Sequence, residues 1–181
     1  TVRCSCSSRI LSASYEMQDG DTEGVVPFQI GTLTDSRGNP TEGTNSTTDG
    51  TIVTFDNTKP TLSSVKIISN NSDSSWAKVG DTITVEFIGN ELLIDQSATI
   101  VNQTAAITST GTGVISEKFY AKYIMTESDP EGEVPFEILV IDSVGLDSDP
   151  VIQTTDESLV SFDRTAPILS TVHIESDNEN N

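Results

Sequence analysis

Residues 123–138 read YIMTESDPEGEVPFEI, and residues 15–30 read YEMQDGDTEGVVPFQI. Nine of the sixteen paired positions are identical, at a spacing of 108. A second pair, TFDNTKPTLSSVKIISNN (54–71) and SFDRTAPILSTVHIESDN (161–178), agrees at ten of eighteen positions at a spacing of 107. A spacing held across two separated blocks marks a duplication, and the one-residue slip fits a loop deletion. A period near 107 is too long for a solenoid coil, so each period reads as a domain of its own.

Outward from these blocks the chain is rich in strand signals. LSSVKIIS (62–69), DTITVEFI (81–88), SATIVNQTAAIT (97–108), EKFYAKYIM (117–125), VPFEILVID (134–142) and SLVSFD (158–163) are β-prone runs with partial period-2 alternation. Turn clusters separate them: SNNSDSS, STGTG, ESDPEG and DSVGLDSDP. No window carries a capped helical stripe. The pattern predicts an all-β, antiparallel two-sheet sandwich. Val65, Ile67, Ile83, Val85, Phe87, Tyr123, Phe136, Ile138 and Phe162 are expected in its core.

The phase of the repeat divides the chain. Residues 1–59 hold the later part of a repeat, 60–163 a complete repeat, and 164–181 the first strand of another or a donor strand for a neighbouring subunit. In the first part, RILSASYEM, VPFQIGTLTD and TIVTFD are the expected strands. Counterparts of residues 79–108 are missing from it, so a short tail strand alone does not complete it.

The 181 residues carry a formal net charge of −19, with 34% apolar and 20% charged residues. The apolar fraction is low, but its short alternating runs are unlike a disordered chain. Ser and Thr make up roughly a quarter of the sequence, which favours strands, turns and surfaces over helices. So acidic a surface repels nucleic-acid phosphates and anionic membranes. No apolar run approaches the ~20 residues of a spanning helix. The sequence opens without an initiating Met or a signal-peptide pattern, which reads as a processed chain or a fragment.

The stretches FDNTKPTLSSVKIISNN, AKVGDTITVEF, YIMTESDPEGEVPFEI and the later D and G together resemble bacterial-type Ig-like repeats of very long extracellular surface and adhesin-like proteins. The resemblance covers residues 9–178 and leaves the Cys-bearing start outside. It implies an immunoglobulin-like β-sandwich and an extracellular or cell-surface location. Such modules serve as spacers, adhesins and fibre subunits, so the resemblance alone does not choose among them. Where those repeats continue into an AGN-type turn, this chain has DSVGLDSD.

The sequence holds no nucleophile–base pairing, Gly-rich phosphate loop or metalloprotease spacing, and reads as non-enzymatic. His173, the single histidine, aligns with Lys66 between apolar neighbours, which places it on a solvated strand face. Asp19, Asp21 and Glu23 recur as Glu127, Asp129 and Glu131 in an acidic turn. Hard cations collect several oxygens, so Asp19, Asp21, Glu23, Asp129 and Glu131 are the candidate calcium ligands. Their simpler role is to cap the turn, with Gly24 and Gly132 supplying a positive φ. N-glycan acceptor tripeptides stand at Asn45, Asn70 and Asn102, the first two in polar loops and the third in a strand-like run. TEGTNSTTDGT and TSTGTG are candidate O-glycan tracts. Cys4 and Cys6 are too few for a tetrahedral zinc site and are disulfide candidates in a secreted chain. Trp76 is expected to plug the end of the sandwich.

Assembly follows from the phase. The strands of the first part need an opposing sheet, and the tail strand, with Ile168, Val172 and Ile174, needs a domain. Head-to-tail strand addition between copies would satisfy both and would grow an open filament. A tandem array in one long chain has the same logic. The leading expectation is a structural subunit of an extracellular, glycosylated filament, with itself as partner. The alternative is an adhesion module for calcium, carbohydrate or a partner protein.

Overall fold

The structure is a computed structural model that describes residues 3–7, 10–111 and 115–176, with the backbone alone for 3–7 and Ile10. The chain forms two compact units, Thr1–Thr58 and Lys59–Asn181. The described residues contain strands, turns and bends and no helix.

In the second unit the strands are β5 (Leu62–Ser69), β6 (Trp76–Ala77), β7 (Thr82–Gly89), β8 (Leu93–Ile100), β9 (Gln103–Thr104), β10 (Ala106–Ser109), β11 (Lys118–Ile124), β12 (Gly132–Glu133), β13 (Phe136–Asp142) and β14 (Ser161–Phe162). One sheet has the order β10-β11-β7-β5, and a second has β13-β8-β9. A small third sheet, β12-β14-β6, includes one parallel pair, β14 with β6. The other pairs are antiparallel.

Alternation decides which face is buried. In β7, Ile83, Val85 and Phe87 point inward while Thr82, Thr84 and Glu86 are half-buried. In β13, Phe136, Ile138 and Val140 alternate with exposed Glu137 and Leu139. These faces meet in one hydrophobic core with Val65, Ile67, Ala98, Ile100, Ala121 and Phe162. Phe87 and Phe119 stack within it at 5.3 Å between ring centroids. Eight of the nine expected core residues are buried, and Tyr123 packs against that core half-buried. The architecture is the all-β antiparallel sandwich that the alternation predicts.

The run 97–108 is not one strand. Val101 and Asn102 adopt φ of 48° and 60°, which turns β8 back on β9. Asn visits this left-handed region at low cost, and period-2 counting cannot see the reversal. Trp76 is half exposed on β6 and does not plug the sandwich, whereas its neighbour Ala77 is buried.

The first unit has β1 (Arg3–Ser7), β2 (Ile10–Ser14), β3 (Gly24–Val25) and β4 (Thr54–Phe55). β1 and β2 form a hairpin in which Arg3 faces Ser14 and Cys4 faces Ala13. β10 and β11 pair in the same register, with Ala106 facing Lys122 and Ile107 facing Ala121. Since Ser14 and Ala13 align with Lys122 and Ala121, β1 stands where β10 stands in the complete repeat. The Cys-bearing start thus pairs with β2 as β10 pairs with β11.

Two expected strands are missing for one physical reason. VPFQIGTLTD aligns with β13, yet it forms no ladder, only the isolated bridges Ile30–Thr44 and Thr34–Pro40 and single backbone hydrogen bonds such as the Val26 N–H to the Val53 carbonyl. β13 is a strand because it pairs with β8, and the described part of the first unit has no counterpart of β8. Likewise residues 165–176 align with β5 but form no ladder, because β5 needs β7 beside it. Extended sequence becomes strand only where a neighbour takes its N–H and C=O groups.

Candidate functional site

The acidic turns repeat to the level of single atoms. In the second unit, Asp129 Oδ1 accepts from the Tyr123 hydroxyl at 3.2 Å, and Oδ2 accepts from the Thr126 N–H at 2.7 Å and its hydroxyl at 3.0 Å. In the first, Asp21 Oδ1 accepts from the Tyr15 hydroxyl at 3.0 Å and Oδ2 from the Gln18 N–H at 2.7 Å. Glu131 Oε1 accepts from the Arg164 N–H at 3.0 Å and the Thr165 hydroxyl at 2.7 Å. Glu23 Oε1 does the same for the Asn57 N–H and the Thr58 hydroxyl, at 2.9 and 2.7 Å. Gly24 and Gly132 supply the positive φ, at 106° and 113°. The hydroxyl of Thr165, with the N–H of Arg164, holds the Glu131 carboxyl below its usual range.

Of the calcium candidates, Asp21, Glu23, Asp129 and Glu131 thus turn oxygens toward protein donors of the DPEG and FDxT motifs. Asp19 is exposed. The repeated Asp-Glu pattern is accounted for by these clasps.

The TTDGT turn (47–51) and the TTDES turn (154–158) are a second repeated device. Thr47 donates its hydroxyl to the Thr51 carbonyl at 2.9 Å, as Thr154 does to that of Ser158 at 2.9 Å. Asp49 Oδ1 accepts the Thr51 N–H at 3.0 Å, as Asp156 Oδ1 accepts that of Ser158 at 3.1 Å. These hydrogen bonds hold the Asp49 and Asp156 carboxyls below their usual range, Asp49 chiefly through the Thr51 N–H and Asp156 chiefly through the Ser158 hydroxyl.

In the complete repeat this turn holds β5. Thr155 Oγ1 accepts the Val65 N–H at 2.9 Å, the Thr155 N–H reaches the Val65 carbonyl at 2.9 Å, and Ser158 Oγ accepts the Ile67 N–H at 2.9 Å. The outer edge of β5 is thus satisfied by a side-chain rack instead of a strand.

The first unit has the rack without the strand. A groove of about 570 Å³ is lined by Val25, Val26, Phe28, Thr51, Ile52 and Val53, among others. Its counterpart in the second unit, about 300 Å³, is lined by the aligned residues Glu133, Val134, Phe136, Ser158 and Leu159 together with Ile67 of β5. Exposure follows: Val53 is 68% exposed against 0% for Val160, Phe28 42% against 8% for Phe136, and Ile30 46% against 0% for Ile138.

Asn45 is exposed on the rim of this groove, and Asn70 is exposed with its Oδ1 accepting the Thr82 N–H at 2.7 Å. Asn102 is exposed in the β8–β9 turn and not within a strand. Ile168, Val172 and Ile174 are 89, 80 and 93% exposed. Residues 177–181 of the tail lie outside the described residues, as do the side chains of Cys4 and Cys6, whose backbones lie in β1. Thr48, Thr51 and Val53 were not singled out from sequence, although the match of STTDGTIVTFD to QTTDESLVSFD carried the signal.

No protein-family model matches the chain, and no curated protein matches it either. No helix among the described residues is long and apolar enough to cross a membrane.

Proposed function

We propose that this chain is a structural subunit of an extracellular, glycosylated filament or surface fibre, built from Ig-like repeats that join head to tail. One observation carries the reading. The apolar side chains of the first unit stand exposed where their counterparts in the second form a core, while Ile168, Leu169, Val172 and Ile174 of a β5-like segment in the second are exposed as well. Apolar area seeks cover at roughly 25 cal/mol per Å², and an unpaired strand edge invites another strand. A surface short of one strand and a strand short of one surface, on the same molecule, make a heterologous contact, which grows an open filament when its rotation does not close.

The three sequons are exposed, which suits N-glycans in a source that makes them. No catalytic role enters this reading.

The test is assembly of the chain itself. Sedimentation and negative-stain microscopy across a concentration series should show polymers whose length rises with concentration. Val172→Asp should leave short or absent fibres, and His173→Asp should leave normal ones. Fibres of normal length from both variants, or a monomer at every concentration, would refute the joint.

A further inference from the structure

We propose that the groove of the first unit is a strand acceptor for residues 165–176 of a second copy, with Thr48 and Thr51 as the groups that read its backbone. The inference rests on the head-to-tail reading and assigns its joint to atoms. Val172 aligns with Val65 and Ile174 with Ile67, within SFDRTAPILSTVHIESDN and TFDNTKPTLSSVKIISNN. Thr48 aligns with Thr155 and Thr51 with Ser158, within STTDGT and QTTDES. The four groups that clamp β5 in the complete repeat therefore all have aligned counterparts in the chain.

The acceptor side is preformed. The bond between the Thr47 hydroxyl and the Thr51 carbonyl, and the bond between the Thr51 N–H and Asp49, fix the turn as their counterparts fix 154–158. Docking therefore need not order the turn, which lowers its entropic cost. The Val172 N–H reaches Thr48 Oγ1, the Thr48 N–H reaches the Val172 carbonyl, and the Ile174 N–H reaches Thr51 Oγ1. Ile174 then enters the groove beside Val26, Phe28 and Ile52, as Ile67 lies with Val134, Phe136 and Leu159.

Specificity has two layers. The rack reads backbone N–H groups two residues apart, which any extended strand offers. The groove requires an aliphatic residue at the position of Ile174, and His173, on the other face, is free to vary. The same chemistry admits the strand from a second molecule or from the chain's own tail, and the experiment separates them.

The receptor is the full-length chain carrying Val172→Asp and Ile174→Asp, so that its own tail cannot dock. The probe is a fluorescent peptide of residues 164–178, read by anisotropy. Binding is expected, and a peptide of β5 (residues 61–70) should compete for it. Thr48→Val with Thr51→Val keeps the shape of the rack and removes both acceptors. It should weaken binding about 25-fold, at roughly fivefold per lost hydrogen bond. Val53→Asp should weaken it further, and Thr32→Val, at an exposed position outside the groove, should change nothing. Circular dichroism and the unfolding temperature of each receptor confirm that it is folded.

Absence of peptide binding to the folded receptor overturns the proposal. Binding indifferent to the Thr pair and to Val53→Asp overturns it too. A wild-type chain that stays monomeric and refuses the peptide, while the receptor accepts it, places the chain's own tail in the groove and overturns the second-copy assignment. Filaments that form normally in the Thr48→Val, Thr51→Val, Val53→Asp chain leave the filament reading standing and sink this joint alone.

Discussion

Replacing Asp129 by alanine separates a hydrogen-bonded clasp from a cation site at the acidic turn. Asp129 is nearly buried and its two oxygens take the Tyr123 hydroxyl, the Thr126 N–H and the Thr126 hydroxyl. A bond to an ionised acceptor contributes about 1.5–3 kcal/mol. The 2.7 Å bond from the Thr126 N–H should be the strongest of the three. The Tyr123 and Thr126 hydroxyls can turn partly to water, so the three contributions do not add in full. A loss of about 3 kcal/mol is expected, from bonds of this strength partly replaced by solvent. For a unit of this size each kcal/mol moves the unfolding temperature by roughly 3–5 °C, so a drop of about 10–15 °C should appear by differential scanning calorimetry. Asp21→Ala removes the aligned but more exposed contacts and should cost within about 1 kcal/mol. Both losses should be equal with and without calcium at about 10⁻³ M, the affinity range of extracellular modules. An Asp129→Ala unit that unfolds within a few degrees of wild type would refute the clasp. So would wild-type stabilisation by calcium that Asp129→Asn abolishes.

Other outcomes follow from geometry already described. Glu157 holds φ of 59° where the aligned Gly50 holds 75°, so the same left-handed turn is strained in one repeat and relaxed in the other. Glu157→Gly should raise the stability of the second unit by about 0.5–1 kcal/mol in urea titration. Gly132→Ala should lower it by about 1–2 kcal/mol, although a Cβ there would meet no atom, because φ of 113° is the obstacle. Burial pushes the Asp81 carboxyl up, but the Lys78 N–H, the Asn71 amide and the Lys78 ammonium outweigh it and hold the group below the ordinary aspartate value of about 3.9. A depressed carboxyl contributes stability that is present above that value and lost as pH falls through the folded pKa, so Asp81→Asn should flatten the acid limb of the stability curve below about pH 4. Copies with a charge of −19 repel one another, so polymer length should rise between about 0.01 and 0.15 M salt as the screening length shrinks from ~30 to ~8 Å.

Much of this fold was legible because the second unit obeys alternation. Ile83, Val85 and Phe87 fall on one face by counting in twos, and Gly24 and Gly132 sit where the duplicated turn needs a positive φ. What alternation cannot report is whether a neighbour exists. VPFQIGTLTD and residues 165–176 have the side chains of strands and lack ladders, because pairing is a property of two segments. The reversal at Val101–Asn102 escaped for a different reason: it changes backbone sign without interrupting the polar–apolar pattern. At the proposed joint, the aliphatic half was visible in Ile168, Val172 and Ile174. Thr48 and Thr51 became visible only when Thr155 and Ser158 were seen holding β5, since an exposed Thr in a Ser/Thr-rich turn carries no mark of its duty.

Among the described residues, the two-residue strand β14 is the last strand of the chain, and it is flanked on both sides. Gly132 and Glu133 pair with it in one direction, Trp76 and Ala77 in the other, and Glu131 grips Arg164 and Thr165 just beyond. A pull on the tail therefore arrives first at a carboxylate, then at a strand whose neighbours must be sheared together rather than unzipped one bond at a time. With Phe162 sunk in the core behind it, the load passes into the whole sandwich. Short as it is, β14 is placed as a mechanical anchor, and in the proposed fibre it would decide whether tension stretches a subunit or extracts its end.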